Sequence, residues 1–246
     1  MKALARWLAL FLVAGCVLEV FFVARIALAA TLDPESTTFE RSEAFRIARE
    51  KGHLRWTQEW VPYAQISDNL KRAVIASEDD SFVNHEGVDW EALEKAWEKN
   101  QKAEERAAKQ QSRAKPNAPA LRPAKIVGGS TITQQLAKNL LLSGERTLLR
   151  KGQEIVLTFA IEKMMSKERI LEIYLNSVEW GEGVFGAEAA AHHYFRKGAS
   201  QLSAYEAARL AVMLPRPKYF ERLPNSGYLA SRASTIAARM RGAELP

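Results

Sequence analysis

The chain is poor in the residues that build disulfide frameworks and metal sites. Of its 246 residues one is a cysteine, Cys16, so no internal disulfide can form and no multi-cysteine zinc site exists. The four histidines are His53, His85, His192 and His193, and none stands in an HExxH or comparable ligand spacing. The adjacent pair His192–His193 would point to different sides of a helix, which argues against a shared ion. Alternating strand patterns are scarce and no internal repeat is visible, which leaves a mostly helical reading. A basic face spread through the chain is also missing. The net charge of +6 comes from 35 basic and 29 acidic residues. Seven basic residues against two acidic ones, between Gln101 and Lys125, account for nearly all of it. The remainder is close to neutral, which argues against a nucleic-acid-binding domain and suits a loop near anionic lipid headgroups.

What the chain does have begins with a long apolar run. Trp7–Ala30 is almost wholly hydrophobic; at about 1.5 Å rise per residue it reaches about 36 Å, enough to cross a bilayer core. Lys2 and Arg6 precede it, and the positive-inside rule then places the N-terminus in the cytoplasm and the body outside the inner membrane. Glu19 and Arg25 interrupt the run and are costly in lipid. Three readings stay open: a retained single-pass anchor, ranked first; a signal peptide processed near Ala27–Ala30; and a lipoprotein box at Val13–Cys16.

The expected organisation is a tail (1–6), an anchor (7–30), a linker and membrane-proximal segment (31–59), a globular domain (60–241) and a short tail (242–246). Ser67 is expected to cap a helix through Ile75, and another helix to span Trp90–Lys109. The proline-containing stretch Arg113–Lys125 then reads as loop, part of a basic insertion over 101–125. Further helices are expected over Thr131–Leu142, over one long region Gly152–Tyr174, over Ala187–Tyr194, from the Ser203–Glu206 capping-box spacing to Pro215, and over Tyr228–Arg241. Arg216–Gly227 reads as a loop.

Three groups of residues carry chemistry. The stretch Gly128–Asn139, GGSTITQQLAKN, combines glycines, hydroxyls and amides. Thr131 as N-cap and Gln134 at the third helical position form a capping box. Such a helix start directs free N–H groups at an anion, with Lys138 one turn beyond Gln134 and Asn139 in the same relation to Gln135. The alternative is a well-capped surface helix. Second, Glu78, Asp79 and Asp80 end an apolar helix. Carboxylates there are poorly solvated, which raises a pKa toward general-base values, and acids at a helix C-terminus oppose the macrodipole; the alternative is a solvated helix end. Third, Arg146, Arg150, Lys151 and Glu154 cluster, with Arg150 and Glu154 spaced to share a helix face. Alone this reads as a surface ion pair; with Lys138 it suits a diphosphate.

The segments SEDDSFVNHEG, GGSTITQQLAKN, RKGQE, KERILEIYLN and GEGVFGAEAAAHHYF, in this order, resemble the monofunctional, biosynthetic peptidoglycan glycosyltransferases from about Trp60 to about Arg241. The resemblance implies a mostly α, lysozyme-like domain with a membrane-facing lobe, preceded by one transmembrane helix. It implies polymerisation of lipid II into β-1,4-linked glycan strands, with inversion at the donor anomeric carbon. Glu78 would be the general base and Glu154 the second catalytic carboxylate. Asp79, Phe82, Ser130, Thr131, Gln134, Gln135, Lys138, Asn139, Arg146, Arg150 and Lys151 would bind substrate, the cations taking the diphosphates. Tyr174, Asn176 and Glu179 would support the cleft from behind. No cofactor is expected; Mg²⁺ or Mn²⁺ at the diphosphate is the one metal role left open. The expected partners are the lipid II donor, the growing glycan acceptor and membrane lipids, with cell-division or elongation proteins as further candidates and no nucleic acid. A basic insertion between the first two motifs departs from the family pattern. A lytic enzyme of lysozyme-like fold and a non-catalytic scaffold are the competing readings; a glycosidase needs a carboxylic acid for a poor leaving group, and the cations around Glu154 disfavour that protonated form.

Overall fold

A computed structural model describes residues 2–113, 128–142 and 147–246. Helix α1 (Lys2–Thr31) is long and apolar enough to cross a membrane. Only its last turns touch the body: Phe22, Ile26 and Ala29 are buried in the common core, packed against the helix that carries Glu154.

The segment 31–59, expected as a linker, is structured. Helix α2 (Thr38–Lys51) starts at a Thr37–Glu40 capping box and stops at Gly52, in left-handed conformation with φ 74°. A strand, β1 (Thr57–Gln58), follows. Helices α3 (Asp68–Glu78) and α4 (Trp90–Arg113) come next. Ser67 caps α3 as expected. Helix α4 runs past Lys109, so residues 101–113 of the basic insertion are helical, while 114–125 lie outside the described residues.

Helix α5 (Ile132–Leu141) has Thr131 as N-cap and the full Thr131–Gln134 capping box. The long region from Gly152 is two helices, α6 (Leu148–Met164) and α7 (Lys167–Ser177). The break falls at extended Met165 and at Ser166, whose hydroxyl accepts from Arg169 N and starts a new helix. A short cap residue offers the backbone an alternative to continuing the helix, and the continuous apolar pattern conceals it.

Strands β2 (Glu179–Gly181) and β3 (Val184–Phe185) form a hairpin, and β1 joins β3 in parallel, with Thr57 opposite Val184. The turn needs Gly183: its φ is +72°, and a Cβ there would lie 2.2 Å from Arg55 O. Helices α8 (Ala187–Phe195), α9 (Ala204–Met213), α10 (Pro217–Glu221) and α11 (Gly227–Arg239) complete the chain. The Ser203–Glu206 capping box starts α9. The expected loop after Pro215 contains α10, which begins with Pro217 in its first turn, where a missing N–H costs nothing.

Two packing units position the site. Helix α9 lies against α3 and α11, and α5 lies against α6, α2 and α7. The small-residue surfaces of α8 and α9 (Ala189, Ala190, Ala191, Ala207, Ala208, Ala211, all buried) allow close approach. Trp180, Tyr174 and Phe185 are fully enclosed, each contributing roughly 1.5–3 kcal/mol by burial.

Candidate active site

Glu78 is the last residue of α3, whose Leu70, Ala73, Val74 and Ile75 are buried. That burial fixes the helix, and its end brings Glu78 against α5. Gln135 Nε2 donates to Glu78 Oε2 at 2.9 Å. Tyr174 hydroxyl in turn donates to Gln135 Oε1 at 3.0 Å. Glu78 retains some exposed surface, yet the enclosing protein holds its carboxyl above the usual carboxylate range. Burial is the main cause and the neighbouring Asp79 charge adds to it; Gln135, Lys138 and Ser77 pull the other way. A half-buried carboxyl of raised pKa with an open side is what a general base requires.

Asp79 does a different job from the substrate contact expected of it. Its side chain is buried, its Oδ2 accepts from Ile132 N at 2.9 Å, and its Oδ1 lies 2.8 Å from His85 Nε2. Gly87 N donates to His85 Nδ1 at 3.1 Å, so the neutral ring carries its proton on Nε2 and donates to Asp79. Thr131 hydroxyl donates to Gly87 O at 2.6 Å. Gln134 N donates to Thr131 Oγ1, and Thr131 N to Gln134 Oε1. The start of α5 does hold an anion, as the motif predicts, but the anion is the protein's own Asp79. Thr131 and Gln134 are spent on the cap.

Phe82, expected beside the sugars, is packed into the core. It is completely buried, edge-on to His85, with the Lys167 ammonium 4.6 Å from its ring centroid. Apolar bulk won over the cleft at this position. Ser130 is exposed and Asn139 buried. Lys138, on α5 one turn beyond Gln134, is close enough to Glu78 for its charge to act there.

Helix α6 supplies the cations. Thr147 caps it, its hydroxyl accepting from Arg150 N. Arg150 Nη1 donates to Glu154 Oε2 at 2.9 Å, and Lys151 Nζ bonds Glu154 Oε1. Glu154 is 3% exposed, so one buried carboxylate holds two cations. Arg150 Nε is buried and lacks a hydrogen-bond partner among the described residues. Arg146 lies outside the described residues.

The three helices are locked together. Gly87 has φ +87°, and a Cβ there would fall 2.7 Å from Thr158 Cγ2 and 2.8 Å from Glu162 Cγ. Thr133 hydroxyl donates to Glu162 Oε1 at 2.5 Å, and Lys167 Nζ donates to the same oxygen at 2.7 Å. The turn after Glu78 is thus seated on α6, next to α5. Asn176 clamps the strand entrance, its Oδ1 accepting from Val61 N and its Nδ2 donating to Val61 O. Glu179 sits apart, near Lys218 and Glu43, its carboxyl pushed up to about 7, mainly by burial. His85 and Gly87, which carry no catalytic signature, were missed as site residues; their spacing from Asp79 becomes meaningful only in three dimensions.

Comparison with known proteins fits this geometry. A family model described as Transglycosylase matches residues 47–241. A protein named biosynthetic peptidoglycan transglycosylase from Paraburkholderia xenovorans (strain LB400) is 49% identical over 246 residues, covering 98% of this chain and 94% of that protein. One of the same name from Burkholderia thailandensis is 50% identical, covering 100% of this chain and 90% of that protein. Another, from Herminiimonas arsenicoxydans, is 49% identical over 230 residues, covering 93% and 91%. With a carboxyl of raised pKa, a carboxylate that holds two cations and a mostly helical frame all inside the matched span, the chain belongs to the transglycosylase family, the peptidoglycan glycosyltransferases, and is an enzyme.

Proposed function

We propose that this enzyme polymerises lipid II into β-1,4-linked glycan strands, inverting the donor anomeric carbon and releasing undecaprenyl diphosphate. The observation that carries the reading is Glu78, a carboxyl of raised pKa held by Gln135 and neighboured by Lys138. Glu78 takes the proton from the acceptor sugar's 4-hydroxyl as that oxygen attacks the donor C1 from the face opposite the diphosphate. The C1–O bond to the diphosphate breaks, and its electron pair leaves on the diphosphate. Lys138, Arg150 and Lys151, with Arg146 as a further candidate, stabilise that developing charge. Arg150 Nε, buried without a hydrogen-bond partner among the described residues, is suited to a substrate oxygen. Glu154 fixes Arg150 and Lys151 in place. Ser130, Gln135 and Asn139 border the sugars.

No organic cofactor enters the scheme. Among the described residues no three His, Cys, Asp or Glu side chains converge as a metal site; a Mg²⁺ or Mn²⁺ at the diphosphate would add charge neutralisation to that of the cations. The proposed setting is the inner membrane, with α1 as a single-pass anchor, the N-terminus cytoplasmic and the catalytic domain outside, beside a lipid-linked substrate and the membrane lipids.

Purified full-length protein incubated with lipid II should yield glycan polymer, and Glu78→Gln should reduce the rate about 10²–10⁴-fold, the usual contribution of a positioned base. Soluble fragments from intact peptidoglycan with no polymer from lipid II would overturn the reading in favour of a lytic enzyme; inactivity toward both would leave a scaffold.

A further inference from the structure

We propose that Tyr174 is a positioning residue for the base, its hydroxyl locking the Gln135 amide in the orientation that donates to Glu78; this rests on Glu78 being the base. Tyr174 is fully buried on α7. Its hydroxyl donates to Gln135 Oε1 at 3.0 Å, and Gln135 Nε2 donates to Glu78 Oε2 at 2.9 Å. The three side chains come from three helices, α7, α5 and α3, and form one directed chain of donors.

The direction of that chain follows from donor chemistry. A side-chain amide has a donating and an accepting end. A buried phenol has one proton and needs an acceptor for it. With Gln135 Oε1 turned to Tyr174, Nε2 necessarily faces Glu78, and the arrangement is complete when Glu78 is ionised. A protonated Glu78 offers the same Nε2 only a neutral carbonyl oxygen, a weaker acceptor than the carboxylate. Turning the amide over to meet the new O–H would put Nε2 against the phenol and take away the acceptor of the phenolic proton. Tyr174 therefore penalises the protonated base through Gln135, without touching it. The phenol stays a donor throughout, since burial, and then the Glu78 and Asp79 charges, push its own titration well up.

The charges acting on Glu78 are Asp79, next to it in the chain, and Lys138 from α5. Helices α9 and α11 and the C-terminal turn, which also pack on α3, carry charges of their own. Of these, Glu206 is held by Ser203 and Lys197, Arg209 by Pro224 O and Arg239 by Asp80, while Arg232 and Arg241 are exposed. The Tyr174–Gln135 pair is thus a neutral control on a base otherwise set by burial, two charges and Ser77.

The test uses the full-length protein in detergent. The Glu78 carboxyl is titrated by infrared difference spectroscopy, with Glu78→Gln as the assignment control, and the pH profile of polymerisation is measured in parallel. Tyr174→Phe should move the Glu78 titration and the acid limb of the profile upward. Polymerisation at pH values below the acid limb should fall about tenfold, the scale of a hydrogen bond to a charged group, and recover toward wild type above it. Gln135→Met should shift the titration by itself, and adding Tyr174→Phe to it should change nothing further. An unshifted titration in Tyr174→Phe, an equal extra shift in the Gln135→Met background, or a rate loss independent of pH would each overturn the proposal. Should Tyr174→Phe not fold, Gln135→Met with the wild-type titration overturns it. The spectroscopic titration needs no substrate, so the two failures are distinct: a wild-type protein that titrates as expected but makes no polymer refutes the catalytic reading and with it the positioning role, whereas an active protein with an unshifted Tyr174→Phe titration refutes this proposal alone.

Discussion

Single residues set the ionisation states at this site. Glu78 can take a proton only as a carboxylate, and burial raises its pKa. The acid limb of kcat/KM in the wild-type enzyme is therefore expected above the ordinary carboxylate range; a limb at or below that range would show that Glu78 is not the titrating group. Glu179 is a second buried carboxyl, 5% exposed and raised to about 7 from 4.5. For an acid raised in the folded state, the native form binds more protons than the unfolded chain between those two values. Stability is then lost as pH rises from about 4.5 to about 7, and the full penalty applies above. Glu179→Gln should leave stability near wild type at pH 4.5 and increase it at pH 8 by up to about 3 kcal/mol, the linkage equivalent of the shift. Denaturant titrations at the two pH values measure this; a stabilisation independent of pH would contradict it. Glu78 was legible in sequence as a candidate, because three acids at the end of an apolar helix demand a reason; its proposed role as base came from the family resemblance. The fate of Asp79 was not, since its partners Ile132 and His85 are brought to it by packing.

At the scale of elements, capping explains most of what could be read. Thr131–Gln134 and Ser203–Glu206 form capping boxes where their spacing predicts them. Thr37–Glu40 does so too, and that spacing, followed by Gly52, would have revealed α2. The break between α6 and α7 was hidden because apolar periodicity continues through it. Thr131 deserves its own variant, since one hydroxyl both caps α5 and donates to Gly87 O. Thr131→Ala should cost about 1–2 kcal/mol in unfolding experiments, the range for a lost N-cap, and Thr131→Ser should recover most of it. Equal stability of wild type and Thr131→Ala would mean the cap is not what holds the first two motifs together.

At the scale of the whole molecule, the apolar N-terminal helix is continuous with the body. Arg169 on α7 donates to Ala29 O at 3.0 Å and to Leu32 O at 2.8 Å, and pairs with Asp33 at 2.8 Å. It closes the C-terminal carbonyls of α1 and ties them to the helix after α6, against which α1 packs. The end of α1 is thus held to α7 by hydrogen bonds and to the cation-bearing helix α6 by packing. Arg169→Ala should raise hydrogen exchange across residues 28–36 at least about tenfold, given the strength of charged hydrogen bonds, while protection in α9 stays unchanged. Unaltered exchange at 28–36 would show that apolar packing alone holds the junction.

The sequence by itself determined the mostly helical class, the capped starts of α3, α5 and α9, the apolar N-terminal span and the order of the motifs. Each depends on local causes: caps, periodicity, charge and composition. Tertiary structure alone decided which motif residues face a substrate and which face each other. Asp79, Thr131, Gln134 and Phe82 turn inward because burying α3, α5 and α6 together leaves polar groups that only these side chains can satisfy, and a gap that only an aromatic ring fills. Glu78, Gln135, Lys138 and the Arg150–Lys151–Glu154 cluster are what that packing leaves for the proposed chemistry.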